Sequence, residues 1–151
     1  MSTRARGKSS ETERARQQLR STLSAKGYQF TEQRAIVFDY LQQVAHHPTA
    51  EEVFLAVKAK LPKISLATVY KNLEALVESG AAAKWTYGDG SSRYDKRTDH
   101  HYHLRCLRCG RMWDVEPTQV SDMLDRMRPQ RGFQVTDYRL EIVGFCRDCR
   151  Q

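Results

Sequence analysis

With 151 residues the chain has room for one ordinary domain or two small ones. Its apolar fraction of 40%, charged fraction of 28% and formal charge of +7 describe a folded, soluble protein. No apolar run is long enough to cross a bilayer, and the basic start "MSTRARGKSSETERAR" lacks the apolar stretch of a signal peptide. A cytoplasmic protein without a membrane partner is expected.

Two further features narrow the class. Stable disulfides are rare in the cytosol, so four cysteines argue for a metal. A sequence pI near 9.4 points to a polyanion, most simply nucleic acid, with a solvated basic surface as the plain alternative. The excess lies early. Residues 1–88 carry 13 Lys and Arg against 8 Asp and Glu, whereas residues 89–151 carry 12 against 10.

In chain order, residues 1–12 read largely as disordered, and a polar helix runs on to residue 25 and stops near Gly27. Thr31 can cap a second helix with Ile36, Val37, Tyr40, Leu41 and Val44 on one face. "TAEE", Thr49 to Glu52, is a capping box that opens a third helix, which Pro62 follows. Ser65 can cap a fourth, with Leu66, Val69, Leu73, Leu76 and Val77 inside and Gly80 as its stop. Two strand-like runs then flank Gly88-Asp89-Gly90 as a hairpin.

That order is the order of a winged helix, whose last helix before the hairpin enters the major groove of DNA. Its outer face here is expected to carry Ala67, Thr68, Tyr70, Lys71 and Asn72. Small and polar groups there can reach base edges, Tyr70 a thymine methyl, and Lys71 phosphate or guanine. An ordinary amphipathic helix with a solvated face is the competing reading.

The pattern switches to strands near residue 89. "HYHLRC" and "RMWDVE" flank the turn "LRCG", residues 118–128 read as a short helix ended by Pro129, and "GFQVTDYRLEIVGF" as a longer strand. The fold class is therefore α+β: an N-terminal winged helix followed by a small α/β domain.

Cys106-x-x-Cys109 and Cys146-x-x-Cys149 form two knuckles. Together they supply four soft ligands in a tetrahedron, as structural zinc requires. Disulfides or redox-active pairs are the alternatives. A zinc bound by four thiolates leaves no position for the histidines. His101 and His103 stand on one face of a strand, and His100 on the other. Asp95, Asp114 and His47 are candidate partners. Mixed nitrogen and oxygen donors suit iron(II), manganese(II) or zinc(II). Five of them make a closed shell, which weighs against a hydrolytic enzyme with an open water position. Two metals are expected, one structural and one exchangeable.

"HPTAEEVF", "LATVYKNLEALVESG", "YGDGSSRYD", "DHHYHLRCLRCG" and "RLEIVGFCRDC" together resemble the ferric uptake regulator family, from about residue 15 to 149. The resemblance implies a dimeric, metal-dependent repressor of palindromic operator DNA. Its DNA-binding domain would span residues 1–88, a hinge 89–97, and a dimerisation and metal-binding domain 98–151. Within the family the chain looks most like the peroxide-sensing branch. Its regulatory iron(II) or manganese(II) site falls on His47, Asp95, His101, His103 and Asp114. Asp114 carries that distinction, since iron-uptake regulators usually have glutamate there. A second histidine-rich site of those regulators falls on Tyr102 and Tyr138 and is implied to be absent. Peroxide regulators often carry histidine at Tyr138, one departure from the pattern.

The resemblance further implies that iron and peroxide oxidise His47 or His101, which then stops ligating. Metal would lock the two recognition helices at the spacing of successive half-sites. The rival readings are an iron- or zinc-responsive uptake repressor on the same fold, a metalloenzyme, and a zinc-stapled adaptor without DNA. Neither catalytic activity nor a small organic substrate is expected.

Overall fold

The computed structural model describes residues 3–87, 89–118, 132, 134 and 140–150, with residues 3–9 described as backbone alone. The chain divides into two units, Met1–Thr98 and Asp99–Gln151. Residues 119–128 of the expected helix, most of the expected strand up to Arg139, and Tyr138 lie outside the described residues.

The first unit holds α1 (Thr3–Ala25), α2 (Glu32–Gln43), α3 (Ala50–Val57) and α4 (Leu66–Ser79), then a hairpin of β1 (Ala83–Thr86) and β2 (Ser92–Asp95). Each short helix starts where a side chain can satisfy a backbone N–H. Thr31 accepts from Arg34, and Ser65 from Thr68. Thr49 accepts from Glu52 while Glu52 accepts from the Thr49 N–H, so the capping box closes in both directions. Gly80 ends α4 at φ 84°, a left-handed turn that side chains with a Cβ avoid.

The apolar stripes of these helices meet in one core. Leu19 and Leu23 of α1, Val37 and Leu41 of α2, Val53 of α3 and Val69, Leu73 and Leu76 of α4 are almost wholly buried together with Tyr94 of β2. Arg16 tightens α1 onto α2 through Asp39, with an Nε–Oδ2 distance of 3.0 Å, and through Glu32 at 3.1 Å.

Two boundaries differ from the sequence reading. α1 begins at Thr3, so residues 3–12, expected to be disordered, continue the helix. Residues 92–95, the second run of the expected hairpin and also counted in the 89–97 hinge, form β2, paired antiparallel with β1 from Ala83 opposite Asp95 to Thr86 opposite Ser92. The pairing draws this segment into the first unit, which ends at Thr98.

The second unit is built on a three-stranded sheet in the order β4-β3-β5, from β3 (Tyr102–Cys106), β4 (Met112–Val115) and β5 (Ile142–Gly144). β3 and β4 run antiparallel with His103 opposite Asp114 and Leu104 opposite Trp113. β5 joins the other edge of β3 in parallel, with Leu104 opposite Ile142 and Cys106 opposite Gly144. Among the described residues no helix is long and apolar enough to cross a membrane.

Candidate functional site

The cysteine knuckles are brought together by the sheet. Parallel pairing sets Gly144 beside Cys106, so Cys146 arrives two residues later at the end of β3. Each knuckle is a tight turn. The Gly110 N–H bonds the Cys106 carbonyl at 2.9 Å, and the Cys149 N–H bonds the Cys146 carbonyl at 2.9 Å. Gly110, at φ +70°, supplies the left-handed residue that the first turn needs.

All four cysteines are free thiols whose sulfurs lie within 4.8 Å of one another. Two thiolates about 2.3 Å from a tetrahedral ion stand roughly 3.8 Å apart. The Cys109 and Cys146 sulfurs are separated by 3.8 Å. The donor set therefore fits zinc, and none of the four is in a disulfide in this arrangement.

The electrostatics agree. Backbone N–H groups of Cys109 and Cys146 pull the Cys106 thiol well below its ordinary pKa. The Cys149 thiol is pushed up by its hydrogen bond with Cys146 and by burial. Four adjacent sulfurs cannot all ionise without a cation among them. Arg111 supplies part of that charge, a contribution the sequence reading missed. Its Nε donates to Cys109 Sγ at 3.3 Å, and its Nη2 to Cys146 Sγ at 3.7 Å and to Asp148 Oδ2 at 2.7 Å. The signal was a basic residue directly after the Cys-x-x-Cys-Gly turn.

The histidine donors are held in two sets, one in each unit. In the first unit the loop before α3 is tied to β2. The Tyr94 N–H bonds the Pro48 carbonyl at 2.9 Å, and Arg93 donates to the His47 carbonyl at 2.8 Å. That tie brings His47 Nε2 to 3.0 Å from Asp95 Oδ2, although the two residues are 48 apart in sequence. The second oxygen of Asp95 accepts the Arg97 N–H at 2.9 Å.

In the second unit the period of β3 puts His101 and His103 on one face, with ring centroids 4.6 Å apart. Strand register adds Asp114 on the same face. Its Oδ1 is 3.5 Å from His103 Nε2 and 3.6 Å from His101 Nε2. His101 Nδ1 lies 2.8 Å from the Asp99 carbonyl. A carbonyl only accepts, so Nδ1 carries a proton and Nε2 is the ring atom that faces Asp114 and could ligate an ion. Donors about 2.1 Å from one ion are roughly 3.4 Å apart, near the separations seen here. His100 is turned to Tyr102, with Nε2 3.1 Å from its hydroxyl.

The face of the sheet opposite these donors is apolar. Leu104 and Trp113 on that face are partly exposed, and Phe145 just beyond β5 is 56% exposed. Leu104, Trp113, Ile142 and Phe145 line a groove of about 350 Å³.

On α4 the expected outer residues separate. Ala67, Tyr70 and Lys71 are exposed, and Thr68 is half-buried with its hydroxyl 2.9 Å from Ser65 Oγ. Asn72 is a correction. It is 5% exposed, because positions 69, 72, 73 and 76 form one inward stripe at helical spacing. The sequence reading also missed Glu51, which accepts a hydrogen bond from the Tyr70 hydroxyl at 2.9 Å.

The sequence profile of the ferric uptake regulator family matches residues 25–143. The peroxide-responsive repressor PerR of Staphylococcus epidermidis is 37% identical over 131 residues, covering 87% of this chain and 87% of that protein. The peroxide operon regulator of Bacillus subtilis is 40% identical over 128 residues, covering 85% of this chain and 88% of that protein. Among solved structures, the Helicobacter pylori ferric uptake regulator superposes with a TM-score of 0.79 at 20% identity, over 93% of this chain and 94% of that one, a likeness of fold. With a profile match over most of its length and relatives well above 30% identity, the chain belongs to the ferric uptake regulator family.

Proposed function

We propose that the chain is a metal-dependent dimeric repressor that binds operator DNA and is released from it by hydrogen peroxide. The observation that carries this reading is the donor set His101, His103 and Asp114 on one sheet face. The extent of its likeness to two peroxide-responsive regulators supports the same conclusion.

Each histidine set by itself is too small for a closed shell. His47 and Asp95 supply two donors, and His101, His103 and Asp114 supply three. Together they would hold one iron(II) or manganese(II) ion with five nitrogen and oxygen ligands. Holding an ion with ligands from both units fixes one unit against the other. The dimer then meets DNA with its recognition helices already ordered, and less binding energy is lost to ordering them. Apo protein must restrict that motion before it binds.

Iron(II) held there would supply the electrons that reduce peroxide, and the ligand imidazole of His47 or His101 would take up oxygen. An oxidised imidazole ligates poorly, so the two units lose their common tie. Zinc held by Cys106, Cys109, Cys146 and Cys149 would be structural, tying residues 146–149 to the end of β3. Thiolates so engaged, with Arg111 beside Cys109, would be an unfavourable setting for a cysteine sensor.

The apolar groove of Leu104, Trp113, Ile142 and Phe145 supports a homodimer assembled through the second unit. Ala67, Tyr70 and Lys71 on the exposed face of α4 are the proposed DNA contacts, with Thr68 at the helix start.

The test is binding of the manganese(II)-loaded chain to a duplex it selects from a randomised pool. Binding that is lost on chelation and in Asp95→Ala, with zinc content and melting unchanged, is expected. Metal-independent binding would contradict the regulatory site.

A further inference from the structure

We propose that Glu51 is a positioning residue that makes Tyr70 a reader of bases rather than an anchor on phosphate. This rests on the DNA-binding reading above. Glu51 stands in the first turn of α3, whose start is fixed by the two-way capping box of Thr49 and Glu52. The fixed start turns the Glu51 carboxylate toward α4, where it accepts the Tyr70 hydroxyl at 2.9 Å. The two residues share a polar cavity of about 380 Å³ with Lys84, Ser92 and Tyr94, so the bond lies where α3, α4 and the hairpin meet.

A tyrosine hydroxyl has one proton to donate. Here that proton is committed to Glu51, which leaves the oxygen able only to accept. Phosphate oxygens also only accept, and a carboxylate beside the ring repels them. Adenine N6 and cytosine N4 donate, and a thymine methyl can pack on the ring. The committed proton therefore favours base edges over backbone. The carboxylate is held below its usual range by its own backbone N–H at the helix start and by Tyr70, so it remains an acceptor at neutral pH.

The experiment uses the full manganese(II)-loaded chain, a duplex selected by the wild type from a randomised pool, and a base-shuffled copy. Affinities for both are read by fluorescence anisotropy for wild type, Glu51→Ala, Glu51→Gln, Tyr70→Phe and the Glu51→Ala/Tyr70→Phe pair. Glu51→Ala is expected to lower the preference for the selected duplex by about tenfold, chiefly by tighter binding of the shuffled copy. Glu51→Gln, whose amide oxygen still accepts, should stay within about twofold of wild type. In the Tyr70→Phe background, Glu51→Ala should change the preference by less than about twofold, as coupled partners do. An unchanged preference in folded Glu51→Ala would overturn the positioning role and leave DNA binding standing. An equal loss in both tyrosine backgrounds would overturn it too, because the charge alone would then act. If Glu51→Ala fails to fold, Tyr70→Phe must itself relax the preference or the proposal falls. A loaded wild type that selects no sequence would overturn the DNA-binding reading, and this proposal with it.

Discussion

Asp95 uses both of its oxygens, one toward His47 at 3.0 Å and one on the Arg97 N–H at 2.9 Å. The Arg97 bond anchors the carboxylate, so the oxygen beside His47 is presented as a second donor. Asp95→Ala should weaken manganese(II) binding by at least about a hundredfold and leave the zinc in place, as titration calorimetry and metal analysis would report. A change confined to zinc would contradict the assignment. Arg111 acts in the same way from outside the other site. Arg111→Ala should speed zinc loss to a chelator by about tenfold without altering the resting zinc content. The sign of the pH effect follows from the thiols. Cys149 is pushed up and keeps its proton until zinc displaces it, so zinc affinity falls as pH falls. Competition against a fixed free zinc level at two pH values would read this.

At the scale of elements, caps and stripes decide where structure begins. Ser65 opens α4 and is bonded by the Thr68 N–H at 3.1 Å, so Ser65→Ala should cost about 1 kcal/mol in thermal unfolding. Leu73, wholly buried on the same helix, should cost about 2–5 kcal/mol when changed to alanine, with the zinc site still loaded. These elements were legible because each carries its own chemistry: Thr31, Thr49 and Ser65 as caps, Gly80 as a stop, and alternation in "HYHLRC". Asn72 was not legible as a buried residue, because a polar side chain on a helix reads as exposed. Only the position of the whole inward stripe placed it inside. The start of α1 at Thr3 was missed for a related reason, since a polar, charged opening looks the same in a helix and in a disordered arm.

For the whole molecule, the spacing of the two Cys-x-x-Cys pairs was enough to expect a tetrahedral site, and register did the rest. His103 facing Asp114 is a property of strand pairing, not of sequence distance; Asp114 entered the reading as one of two candidate acids and, by resemblance, as the mark of the peroxide-sensing branch. Asp99 acts through its carbonyl on His101 and Glu51 through a side-chain bond to Tyr70, neither of which local spacing announces. The sheet separates two tasks, with donors on one face and an apolar groove on the other. Cys106→Ser should release zinc and reduce the dimer to monomer in light scattering, while Asp95→Ala should leave the oligomer intact. DNA affinity of the loaded dimer should fall steeply with salt, as phosphate contacts require.

In the proposed function peroxide is sensed at ligand histidines. Mass spectrometry of the iron(II)-loaded protein after near-stoichiometric peroxide tests it most directly, with manganese(II)-loaded protein as control. One added oxygen on His47 or His101, absent with manganese, is the predicted result. Unmodified histidines in fully iron-loaded protein would contradict the account and leave a repressor that reports metal supply alone.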